Sequence, residues 1–256
     1  MDSKIIEELK ISYLENRINV LPHGWFGTYR GIPVVKIYKD PDNPDVSRTN
    51  VRRYYIHTKH GQVFTKLVNE FRKVKDELKN SMEKWKKTYS GKPRIFDFPL
   101  AKHREDIISY EYLRKSLPNQ NELEPKIKIV YKDQVLRSKN ELLAIKEIED
   151  MGFEWKTEIH VQIGDYHFYP DVAFYVPYID KVAFVELDGM MENESYFTKS
   201  EFRKQKYFKC GFRENRDVIF YRMSSEDDFD VDSFRRAIEY LIELNATNII
   251  NPYESL

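Results

Sequence analysis

Apolar residues recur at steps of three and four through Phe64, Leu67, Phe71, Val74, Leu78, Met82, Trp85 and Tyr89, the strongest periodic signal in the chain. They predict one helix over 62–89, about 28 residues and roughly 40 Å long at 1.5 Å per residue. Ahead of it, Ile5, Ile6, Leu9, Ile11, Tyr13 and Leu14 among charged residues predict a short amphipathic helix over 3–17. Between the two, Trp25–Tyr38 holds β-rich runs separated by glycines, a hairpin pattern that the Pro/Asp/Asn cluster at 41–45 closes in a loop. Residues 91–125, with Gly91, Pro93, Pro99, Pro118 and Pro125, read as a connector carrying a short helix around 103–116.

After residue 125 the pattern becomes regular. A strand at 127–131 precedes a helix at 139–151, which Gly152 is placed to terminate. Strands follow at about 155–163, 168–176 and 181–187, then a helix at 197–210 ending near Gly211, a strand at 217–223 and a helix at 232–244. From the 139–151 helix onward the order αβββαβα predicts an α/β fold with a central sheet flanked by helices. The chain thus divides into an N-terminal hairpin and long-helix region, 1–125, and a C-terminal domain, 126–256.

The net charge of zero hides two unlike halves. Residues 1–125 carry 24 Lys and Arg against 17 acids, and residues 126–256 carry 18 against 25. A basic arm joined to an acidic metal-binding core has this asymmetry. Lysines at 66, 73, 75, 79, 84, 86 and 87 lie between the apolar positions of the long helix, as a phosphate-facing arm or as the solvated side of a helix packed on residues 3–17. Cys210 is the only cysteine, which excludes an intramolecular disulfide and a Cys-based zinc cluster. No apolar run reaches the roughly 18 residues of a membrane span and the N-terminus lacks a secretory pattern, so a cytoplasmic protein without membrane contact is expected.

Carboxylates decide the candidate chemistry. Val182-Ala-Phe-Val185 is continuously apolar, as in a strand covered on both faces, and Glu186 and Asp188 after it project to one face. Asp171 follows Pro170, which belongs at the start or edge of a strand, so Asp171 stands where the chain joins the sheet and within one strand pair of Glu186. Acids at the end of a buried strand are costly unless compensated, and a hard divalent cation is one compensation; a solvated turn at Gly189 is the other. Glu141 has two readings: in Ser138-Lys-Asn-Glu141 it completes a capping box, yet it shares the sheet-facing side of its helix with Ile145 and Ile148.

Glu141 on a first helix, Pro170-Asp171 on a strand and Glu186-Leu-Asp188 on the next resemble the PD-(D/E)XK nuclease superfamily. Within it, Val185-Glu-Leu-Asp-Gly189 is similar to the branch that includes very-short-patch-repair-like endonucleases and uncharacterised bacterial and phage relatives. The resemblance covers about residues 126–245 and implies a restriction-endonuclease-like mixed sheet. It also implies phosphodiester hydrolysis by an endonuclease acting on DNA, with Asp171, Glu186 and the Leu187 carbonyl holding Mg²⁺ or Mn²⁺ and Glu141 assisting. The superfamily's lysine would stand two residues after Glu186, where this chain has Asp188. A lysine orients the attacking water and stabilises the phosphate, whereas a carboxylate binds metal or acts as a base. The helix that follows offers substitutes: Phe202, Phe208 and Phe212 centre near Gln205, which with Lys206 is the main candidate, Lys199 ranking lower. His160 and His167, in the hairpin before Asp171, are further metal candidates, and Trp25, Tyr54 and Tyr55 among Arg52, Arg53 and Lys59 are candidates for stacking on bases. Two other functions fit the same residues: a nuclease fold that binds nucleic acid without catalysis, and an interaction protein forming a homodimer through the 62–89 helix.

Overall fold

The computed structural model describes residues 3–39, 50–96, 107–122, 128–225 and 228–250. The 41–45 loop, Pro99, Pro125, Ile127 and residues 103–106 of the expected short helix lie outside them. Backbone contacts divide the chain into two compact units, one of Glu7–Phe98 and one of Pro99–Leu256 with Met1–Ile6.

The first unit holds most of α1 (Ser3–Val20), then β1 (Gly24–Tyr29), β2 (Ile32–Tyr38), β3 (Val51–Tyr55) and α2 (Lys59–Thr88). The three strands form an antiparallel sheet in the order β1-β2-β3. Arg30 and Gly31 both take positive φ, 52° and 77°, the backbone twist that a two-residue hairpin turn needs. The long helix forms as its period demands, capped by the Thr58 hydroxyl, which accepts from the Gly61 N–H at 3.1 Å. Its apolar stripe is used inside the unit: Phe71 and Val74 pack with Leu14 of α1 and Leu21 just after it, and Val68 with Val35 and Ile37 of β2. Arg17–Glu70 and Lys84–Glu7 ion pairs tie the two helices together. With that stripe covered, nothing among the described residues supports a homodimer through α2. Strand β3 was not expected from the sequence, because Val51-Arg-Arg-Tyr-Tyr55 is too short and too charged to show alternation.

In the second unit a short helix α3 (Tyr110–Lys115) and a hairpin of β4 (Ile129–Tyr131) and β5 (Gln134–Leu136) lead to α4 (Lys139–Asp150). Strands β6 (Glu154–Thr157), β7 (Val161–Ile163), β8 (Tyr166–Phe168), β9 (Val172–Val176) and β10 (Lys181–Asp188) follow, then α5 (Glu194–Lys209), β11 (Val218–Arg222) and α6 (Val231–Ile250). The main sheet is mixed, in the order β11-β10-β9-β6, with β10 and β11 parallel and the other pairs antiparallel. Two expected strands are each broken in two. Glu158 takes φ +42° and donates its N–H to the Pro170 carbonyl at 3.0 Å, so the 155–163 run leaves the sheet there. The 168–176 run parts at Tyr169–Asp171, and β7 with β8 becomes a separate hairpin.

Alternation sorts β10 into two buried faces. Val182 and Phe184 join Ala173, Val218 and Phe220 in a core closed by Leu113 of α3, Tyr207 of α5 and Phe168 of β8. Ala183 and Val185 turn the other way, where Phe153 stacks on Phe174 at 6.0 Å and α6 packs on both α4 and β11. No helix among the described residues is long and apolar enough to cross a membrane.

Gly61 is the residue on which the first unit's helix–sheet junction turns. A Cβ built there would stand 1.9 Å from the Tyr55 carbonyl oxygen. Alanine improves helix propensity by about 1 kcal/mol, but the clash with backbone costs about 1–3 kcal/mol and wins. Gly61→Ala is therefore expected to lower the urea unfolding midpoint, and an unchanged or raised midpoint would contradict this packing.

Candidate functional site

The register of the sheet brings the acids together. Val185 pairs with Val172, so the ladder extended by one step sets Glu186 opposite Asp171. Glu186 and Asp188 share the face that also carries Phe184 and, on β11, Phe220. Asp171, partly buried, accepts from the Leu187 N–H at 2.7 Å through Oδ2. In a strand a residue's N–H and C=O point to the same edge, so the Leu187 carbonyl faces the edge where Asp171 stands.

Glu186 is 2 % exposed and Asp188 fully buried. Three residues of α5 meet them. The Arg203 guanidinium pairs with Asp188 Oδ1 and lies 3.1 Å from Glu186 Oε2. The Ser200 hydroxyl donates to Asp188 Oδ2 at 2.6 Å, and the buried Tyr207 hydroxyl donates to Glu186 Oε1 at 2.5 Å. Glu186 Oε2 accepts no hydrogen bond and is buried. These three positions, 200, 203 and 207, lie on one helix face at steps of three and four.

The helix lies where the sequence pattern sets it, but its inward face is not the one the apolar residues select. The wheel centred on Phe202 and Phe208 selects Gln205, yet Phe202 is 64 % exposed and Gln205 is exposed too. Gln205 is turned about 200° from Arg203 on the wheel, since each residue advances about 100°. The inward face is polar because it meets carboxylates rather than core. The signal that leads to Arg203 is the demand itself: buried acids at a strand end need a cation from whatever packs over them.

Glu141 combines its two readings. It is 5 % exposed and accepts from the Arg137 N–H at 2.9 Å and the Ser138 hydroxyl at 3.1 Å, while Ser138 accepts from the Glu141 N–H. The cap therefore forms one residue earlier on the backbone than the usual box. From that position the Glu141 carboxyl also lies within electrostatic reach of Asp171.

Burial dominates the charge states of all three acids. It pushes the Glu186 carboxyl up to about 8, against the opposing pull of Arg203. It lifts Glu141 to about 7, helped by Asp171, and Asp171 to about 6, again opposed by Arg203. The same carboxylates, Glu186 foremost, hold Arg203 firmly protonated.

A cleft of about 590 Å³ opens beside Glu186. Lys199, Phe202, Arg203 and Lys206 line it from α5, and His167 and Tyr169 from the side of the β7–β8 hairpin. Lys206 lies over the Phe202 ring, its Nζ 5.0 Å from the centroid. His160 Nε2 stands 2.8 Å from His167 Nδ1, so the two imidazoles partner each other. Among the described residues no three His, Cys, Asp or Glu side chains gather closely enough to hold a metal ion on their own. A metal here would rest on Asp171, Glu186, the Leu187 carbonyl and water.

No family model, curated protein or solved structure matches this chain.

Because the three acids bind protons more readily folded than unfolded, the folded form carries extra protons between roughly pH 4 and pH 8. Stability must fall as pH rises through that window, by about 1.4 kcal/mol per unit of pKa difference carried. With EDTA present, the thermal midpoint is expected to drop between pH 5.5 and pH 8, and Glu186→Gln to flatten the drop. A flat profile in the parent would contradict the buried geometry. Arg203→Ala removes the one cation that, among the described residues, pairs with Glu186 and Asp188, and should cost about 3 kcal/mol or more at pH 8 in urea unfolding, less at pH 5.5.

Proposed function

We infer that this chain hydrolyses phosphodiester bonds with a divalent metal, DNA being the expected substrate. The observation that carries the reading is the convergence of Asp171, Glu186 and Glu141 at one end of a mixed sheet, beside a cleft lined by Lys199, Arg203 and Lys206. The strand order and sense β11-β10-β9-β6, preceded by α4 and interrupted by α5, support a restriction-endonuclease-like arrangement.

The donor set suits a hard cation that keeps part of its water shell: the carboxylates of Asp171 and Glu186, one Glu186 oxygen accepting no hydrogen bond, and the Leu187 main-chain carbonyl. Bound there, Mg²⁺ would lower the pKa of a water ligand and neutralise charge on the phosphate. The chain supplies the remainder. Lys199 and Lys206 attract the phosphodiester into the cleft. Glu141, poised near neutral pH, can accept a proton from the attacking water, as a general base works best with a pKa near the operating pH. Arg203 takes the electrostatic part that the missing lysine would play, and Asp188, with Ser200, is the residue that positions it.

One observation favours a second reading. Arg203 already pairs with both Glu186 and Asp188, which suits a nuclease fold that binds nucleic acid without cutting it. Incubation with plasmid and single-stranded DNA, plus Mg²⁺ or Mn²⁺, separates the two. Cleavage is expected with metal and not in EDTA, and Asp171→Ala and Glu186→Ala should each lose roughly a hundredfold or more, since several kcal/mol of charge stabilisation depends on them. Absence of cleavage with either metal, or full activity in both variants, defeats the hydrolytic reading.

A further inference from the structure

The sheet of the first unit has two unlike faces. Phe26, Val35 and Tyr54 point toward α2, and Tyr54 stacks on Phe64 with centroids 4.3 Å apart. The ladder sets Trp25, Lys36 and Arg53 side by side on the other face, with Gly27, Val34 and Tyr55 in the next row and Tyr29 beyond. Val34 is buried and forms the floor of this face, while Tyr29 and Tyr55 are each 36 % exposed. No Asp or Glu occurs in the three strands or their first turn, which contain Arg30, Lys36, Arg52 and Arg53.

The aromatic and cationic groups are interleaved. The Arg30 and Arg53 guanidinium carbons lie 5.4 and 5.5 Å from the Tyr29 ring centroid. Lys36 Nζ lies 6.0 Å from the Trp25 ring, which packs against Tyr38 with centroids 4.8 Å apart. Gly27 makes this possible: a Cβ there would meet Lys36 Nζ at 3.0 Å, so the missing side chain lets the lysine lie across the strand. Exposed rings on the two edge strands, Tyr29 on β1 and Tyr55 on β3, interleaved with cations on strands that carry no acid, suit stacked bases on a phosphodiester backbone. A duplex hides the faces of its bases and would use the cations alone.

We propose that the open face of the β1-β2-β3 sheet binds single-stranded nucleic acid, with Tyr29 and Tyr55 stacking on bases and Arg30, Lys36 and Arg53 contacting phosphates. This goes beyond the hydrolytic reading and stands without it, because the face belongs to the other unit and its action needs no metal. Tyr54, a sequence candidate for stacking, is excluded by its place against Phe64, and Tyr29 takes its role.

The test uses the full-length protein in EDTA, which prevents hydrolysis, and a fluorescein-labelled oligothymidylate of about 20 nucleotides, read by anisotropy. The single strand is expected to bind more tightly than a blunt duplex of equal length. Tyr29→Ala and Tyr55→Ala should each weaken it at least about fivefold, with Tyr29→Phe retaining affinity. Arg53→Gln should make the salt dependence shallower by about 0.7 in log–log slope, the value of one phosphate contact on a single strand. Both tyrosines are exposed enough for their alanine variants to fold, and circular dichroism verifies this. Equal or tighter binding of the duplex overturns the proposal, as does parental affinity in both tyrosine variants. Strand binding is read in EDTA on the Tyr29 and Tyr55 variants and cleavage with metal on the Asp171 and Glu186 variants, so failure of one reading is distinguished from failure of the other.

Discussion

Burial of acid at the end of β10 is the constraint on which the second unit depends. The strand is covered on both faces up to Val185, so Glu186 and Asp188 continue into a region where water is largely excluded. Ions there are expensive unless partnered, and one guanidinium meets both carboxylates. Arg203 also fixes how α5 is rotated. Its face of Ser200, Arg203 and Tyr207 must point inward, which leaves Phe202 and Lys206 at the cleft mouth rather than in the core. The packing of the helix and the shape of the cleft thus follow from one electrostatic requirement.

That requirement is unevenly met. One arginine faces Asp171, Glu186 and Asp188, and burial raises Glu186 and Asp171 in spite of it. Glu186, pushed up to about 8 by burial, holds its proton at neutral pH, because one guanidinium is shared among these acids. That sharing leaves the cluster short of cations. It also separates the roles of neighbouring residues: Asp188 is satisfied by Ser200 and Arg203, while Glu186 keeps one oxygen without a hydrogen bond.

Much of the architecture is legible in the sequence because it rests on local periodicity. The eight apolar positions from Phe64 to Tyr89 locate α2, and the continuous apolar run Val182–Val185 locates the central strand. Ladder register then follows from the two carboxylates lying one strand pair apart. What escapes the pattern has non-local causes. Strands β3 and β5 are too short to show alternation, and the break at Glu158 comes from a backbone bond to Pro170, twelve residues on. The rotation of α5 does not follow its apolar residues, because the rule that they mark the inward side fails where a helix covers charge rather than core.

Asp188 acts together with its partner, Arg203. A lysine at position 188 would set two cations, its own ammonium and Arg203, around Glu186, and like charges that close repel. Aspartate avoids the conflict and holds the guanidinium, so the positive charge beside Glu186 comes from the helix rather than the strand. Positions 188 and 203 therefore act as one electrostatic unit. Changing either alone breaks the balance, whereas reversing both, lysine on the strand and a neutral residue on the helix, restores a single cation beside Glu186. The chemistry of the site depends on where that one positive charge originates and how freely it yields Glu186, more than on the identity of residue 188 taken alone.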